Sequence, residues 1–161
     1  MMIAALALAA LALAEPASDV AGDARAGMSC RLYPVTEVPT NGQLPMVNRK
    51  VLRELTINLS VPLNSVTSQK EISVEDPTGI LAGEPLTRFL RSTENGSYAA
   101  ASAGNFFTFV PDEANPYVFR TYVMKVANPM PKEAPLPYLF GVCAAFQNDG
   151  APAPATDRSG N

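Results

Sequence analysis

A chain of 161 residues with 47% hydrophobic and 17% charged side chains has the makeup of one folded domain and too few charges for an intrinsically disordered chain. Its net charge of −3 leaves no basic stripe to neutralise phosphates, which argues against nucleic acid or an anionic membrane surface as partner. Histidine and tryptophan are both absent, which removes His-based acid–base catalysis, His-containing zinc sites and the broadest stacking platform for sugars or bases.

Residues 3–13 form an uncharged Ala/Leu run, too short for a bilayer span of roughly 20 residues. Its length suits the hydrophobic region of a signal peptide, and Ala12-Leu13-Ala14 fits small-x-small cleavage before Glu15. Only Met1-Met2 precedes it, so the usual Lys or Arg is missing. The pattern predicts a signal peptide over 1–14 and a secreted or periplasmic protein with no membrane span after its removal. Residues 15–27 are Ala, Gly and Asp rich without periodicity and read as a flexible leader; 149–161 read as a disordered tail. A single domain is expected over 28–148.

The 15 prolines and 10 glycines imply frequent turns, hence short strands rather than long helices. The clearest strand signal is Arg53 to Leu63. Leu55, Ile57, Leu59, Val61 and Leu63 alternate with polar residues, and Pro62 marks a strand end or edge. Lys70 to Glu75 repeats the alternation with Ile72 and Val74 inward, and Asp76-Pro77-Thr78-Gly79 has the composition of a type I turn. In Glu84 to Arg91, Pro85 suits a first helical position and Leu86, Phe89 and Leu90 fall at helical spacing. A short helix near 84–92, ended by Asn95-Gly96, is therefore expected.

Asn105 to Val110, Tyr117 to Ala127 and Tyr138 to Gln147 are rich in β-branched and aromatic residues. The last is apolar on both faces, as a central strand would be. The proline-rich Asn128 to Pro137 between them reads as an extended loop. Together these make the fold mainly β, an antiparallel sandwich or a partly closed barrel.

Cys30 and Cys143 are the only cysteines. In an exported chain such a pair points to one disulfide, tying the first segment of the domain to its last strand; two buried free thiols are the alternative. Closing a loop of this size stabilises by roughly 4–5 kcal/mol in the chain-entropy picture. Glu71, Glu75, Asp76 and Glu84 cluster in sequence, and a glycan hydrolase would need two carboxyls facing one bond. On the strand, however, Glu71 and Glu75 share the polar face with Ser73. No Ser-x-x-Lys occurs; Thr67 and Lys70 come nearest. Met28, Met46, Met124 and Met130 read as core filler before they read as a soft-metal site. Neither a cofactor nor a metal is expected. Asn58-Leu59-Ser60 and Asn95-Gly96-Ser97 match the glycosylation sequon.

Arg120 interrupts an apolar strand near Tyr117 and Tyr122, and Arg with Tyr is a favoured contact composition. The expected function is a non-enzymatic exported domain that binds a protein or glycan partner or builds an envelope structure. A carboxylate-dependent hydrolase is the alternative. Two facing carboxyls in a concave site would mark the hydrolase; a flat aromatic patch or an open sheet edge would mark binding.

Overall fold

Alternating side chains give a sheet one dry face, and that face must be covered or curled inward. Here the sheet curls. The computed structural model describes residues 26–60, 63, 71–126 and 132–147. Over these the chain forms nine antiparallel strands and no helix: β1 (Ala26–Glu37), β2 (Met46–Val47), β3 (Arg53–Leu59), β4 (Ile72–Glu75), β5 (Arg88–Arg91), β6 (Tyr98–Ala101), β7 (Asn105–Pro111), β8 (Val118–Lys125) and β9 (Pro137–Gln147). The order around the sheet is β4-β3-β1-β9-β8-β7-β6-β5, with β2 paired to the end of β1. Among the described residues no ladder joins β4 to β5, so the sheet is a nearly closed barrel with one open seam. Of the two expected architectures, the barrel is the one formed.

The inward positions carry the core. Met28, Leu32, Leu55, Ile57, Leu59, Phe89, Phe107, Phe109, Phe119 and Val123 are all buried. Phe107 stacks on Phe109 with ring centroids 6.2 Å apart, and Phe89 lies 5.9 Å from Phe109 and 5.3 Å from Tyr98. Cys30 and Cys143 face each other in the β1–β9 register and are bonded inside the barrel. This is the expected linkage of the first segment to the last strand, and a bonded pair fits an oxidising compartment. At Gly141 the strands approach so closely that an added Cβ would lie 2.1 Å from the Arg31 carbonyl oxygen, so the position is closed to any side chain.

The expected strands at 53–63, 70–75, 105–110, 117–127 and 138–147 form; β3, β4 and β8 are shorter than expected, and β7 and β9 each run one residue longer. β3 stops at Leu59; Val61 and Pro62, with Thr67 and Lys70, lie outside the described residues, as do 1–25 and 148–161. β1 begins at Ala26, ahead of the boundary expected at Met28.

The helix expected near 84–92 is not there: Arg88–Arg91 is a strand. Phe89 pairs with Ala100 and Arg91 with Tyr98, so β6 supplies the backbone partners that a helix would have found within itself. Only Phe89 of the helical-spacing set on this strand reaches the core; Leu90 is exposed. Asn95-Gly96 belongs to the hairpin turn, where the Ser92 N–H donates to the Ser97 carbonyl at 2.7 Å and Gly96 has φ +70°.

The 76–87 segment leads from β4 to β5 and packs Ile80, Leu81 and Leu86 into the core. It starts with the expected turn, the Gly79 N–H donating to the Asp76 carbonyl at 3.2 Å. The two Asp76 carboxylate oxygens then accept from the Ile80 and Leu81 N–H groups, each at 2.8 Å. Buried Asn105 fastens the segment to the barrel. Its Nδ2 donates to the Ile80 carbonyl at 3.3 Å, and its Oδ1 accepts from Lys125 Nζ at 3.1 Å and the Tyr138 hydroxyl at 2.6 Å. Among the described residues no buried side-chain polar atom lacks a partner.

Candidate binding face

Strand alternation that fills the barrel also decides what its outside shows. On β3 and β4 the outward residues are Glu54, Thr56, Asn58, Ser73 and Glu75, an ordinary wetted surface. The other side is different. Following the register outward from β5, Leu90 neighbours Ala99, Ala99 neighbours Thr108, Thr108 neighbours Tyr122, Tyr122 neighbours Phe140, and Phe140 neighbours Tyr33. None of these six is buried. The Tyr122 and Phe140 rings sit 4.9 Å apart.

A parallel row runs Val110, Arg120, Val142 and Arg31, in which both valines are over two-fifths exposed. Phe106 and Met124 extend the face at the other end. Between β5 and β8 a shallow groove of about 550 Å³ runs past Leu90, Ala99, Thr108, Val110 and Tyr122. Single exposed apolar residues need no explanation; here they lie contiguously, with an aromatic pair among them.

Of the candidate contact residues, Arg120 and Tyr122 point outward from β8 onto this face. The Arg120 Nη2 donates to Asp112 Oδ2 at 3.1 Å. The Ala114 backbone N–H, and then Arg120, hold the Asp112 carboxyl below its usual range, so the ion pair persists into moderate acid. Tyr117 does not join them. It precedes β8, shares parity with inward Phe119, and stands 55% exposed at the strand entry, where its carbonyl accepts from the Ala145 N–H.

Phe140 and Val142 were the residues the sequence reading missed. A strand apolar on both faces reads as one buried on both faces, whereas no described element covers the outer face of β9. β9 is central in the sheet order, yet only its inward side is packed.

Of the four carboxylates, Asp76 and Glu84 line one cavity of about 390 Å³ beside β4. Both are already committed to backbone, Asp76 as above and Glu84 Oε2 to the Gly104 N–H at 2.9 Å. Glu71 and Glu75 flank them on β4 and just before it. Met28 lies in the core, Met46 on β2 and Met124 on the outer face, and Met130 is outside the described residues. Among the described residues no cluster of His, Cys, Asp and Glu could hold a metal ion, and no helix is long and apolar enough to cross a membrane. Asn58 is outward on β3 and Asn95 is exposed in its turn.

Comparison with protein families, with characterised proteins and with solved structures found nothing that matches the chain.

Proposed function

We propose that this chain is an exported binding domain that acts without a chemical step, contacting a partner protein through the outer face of β5 to β9. The observation that carries the reading is the continuous row from Leu90 through Tyr122 and Phe140 to Tyr33, lying uncovered on a barrel whose opposite side is polar. Aromatic side chains there supply rigid apolar area, and Arg120 and Arg31 supply directional polar contacts, the composition that dominates protein-binding energy. Secretion or periplasmic location, with residues 1–14 removed before Glu15, agrees with the bonded Cys30 and Cys143. The hydrolase reading draws less support, because both Asp76 oxygens accept from the backbone of the 76–87 segment and Glu84 Oε2 accepts from the Gly104 N–H.

The test compares Phe140→Glu and Val142→Glu with Thr56→Glu in protein recovered from its own host, read as the mass of the native complex on size exclusion. The two outer-face variants should run as the free chain, while Thr56→Glu keeps the complex. Loss of the complex in all three, or in none, removes the outer face as the contact.

A further inference from the structure

An antiparallel ladder points the backbone groups of successive residues alternately to its two sides. The Ser60 N–H donates to the Glu71 carbonyl at 3.0 Å and fixes the phase of the β3–β4 ladder. Glu71, Ser73 and Glu75 therefore turn their backbone groups toward β3. Ile72 and Val74 turn theirs into the seam, where no strand among the described residues pairs with them. On the far side of the seam, Phe89 is 1% exposed, so the accessible edge is β4. Beside that edge lies the cavity of about 390 Å³, walled by Ile72 and Val74 on one side and by Leu81, Pro85 and Leu86 on the other. Ile72 and Val74 are only half-buried although they pack against the core. An edge whose backbone groups face no strand among the described residues, above a slot walled largely by apolar side chains, is the geometry of strand addition.

Charge selects the occupant. The described residues lining the slot include Asp76 and Glu84 and no cation, and Glu75 is exposed on the neighbouring strand β4. Two copies meeting β4 to β4 would set carboxylates against carboxylates, which disfavours a second copy of this chain. We infer that the seam takes an extended peptide segment of a partner, alternating basic and apolar residues, which adds to β4 as a tenth strand. Its apolar side chains enter the slot between Val74 and Leu86, and its basic side chains lie outward beside Glu75. This site is separate from the outer face of β5 to β9 and goes beyond the binding reading above.

The test uses the full isotope-labelled chain with a blocked Lys-Val-Lys-Val-Lys peptide and its Glu-Val-Glu-Val-Glu counterpart as probes. The lysine peptide should shift the amide signals of Ile72 and Val74, slow their hydrogen exchange and bind more weakly as salt rises; the glutamate peptide should do none of these. Val74→Pro deletes a seam-facing N–H and spares the β3–β4 ladder, so affinity should fall by about tenfold with the barrel intact. Glu75→Lys should weaken the lysine peptide and strengthen the glutamate one, whatever Val74→Pro does to folding. No binding of the lysine peptide, equal binding of both peptides, or shifts that avoid β4 overturn the inference. The peptides read the seam and the native complex reads the outer face, so either can fail without the other.

Discussion

Single residues set the terms of this barrel. Gly141 lets β1 and β9 approach, and the Cys30–Cys143 bond locks the same pair of strands from inside. Thr121, wholly buried on the neighbouring strand, spends its hydroxyl on the Cys143 sulfur and the Phe119 carbonyl, so a polar group enters the core without loss. Tyr98 is the titrating residue whose environment matters most. Burial raises its phenol above the ordinary value, against a smaller opposing effect of Arg91, and its hydroxyl donates to the Leu63 carbonyl. A raised phenol means that the unfolded chain releases its proton first. The stabilisation is therefore complete below about pH 10 and is lost as pH rises past that value. Urea denaturation of the wild type and of Tyr98→Phe should show the wild type ahead by about 1 kcal/mol at neutral pH. That lead should shrink above about pH 10; a constant lead would mean that Tyr98 titrates as it does in water.

Elements were legible from the sequence where the pattern was strict. β3 announces itself through Leu55, Ile57 and Leu59, all buried, against outward Thr56 and Asn58. Ile57→Asp should cost about 4 kcal/mol or more, since it places an unpaired charge among core residues. Thr56→Asp, opposite Glu75 on the wet side, should cost about 1 kcal/mol at most. Thermal or denaturant unfolding checks both, and equal losses would mean that the strand faces are reversed. The seam-side strands were harder to read for physical reasons. β6 is Tyr-Ala-Ala-Ala, which has no intrinsic strand preference and pairs only because β5 and β7 offer it backbone partners on both sides. β5 holds its place through one inward ring, Phe89, and helical spacing of Leu86, Phe89 and Leu90 arises there by coincidence. β1 did carry period two in Met28, Cys30 and Leu32, but Ala26-Gly27 at its head resembles the small-residue leader before it. The 76–87 segment was legible only as a turn. Its role in filling the core depends on Asp76, which folds it back locally, and on Asn105, which meets it from a distant position in the chain.

At the scale of the whole molecule, the inside and the outside of the barrel are both apolar over β7 to β9, and only the inside has an obvious reason to be. The disulfide and the aromatic core hold the frame, and the side carrying β3 and β4 presents polar residues outward. The candidate face was half visible in the sequence. Arg120 and Tyr122 stood out as a polar and an aromatic residue in an apolar strand. Phe140 and Val142 did not, because exposure of a doubly apolar strand is a property of the closed sheet and has no local signal. If this face meets a partner, position-specific photo-crosslinking in the native host will trap that partner. A photoreactive side chain at Phe140 should yield one discrete adduct, identifiable by mass spectrometry, while the same group at Asn58 on the polar side should yield none. Adducts of equal yield from both positions, or no adduct from Phe140, would contradict the binding reading.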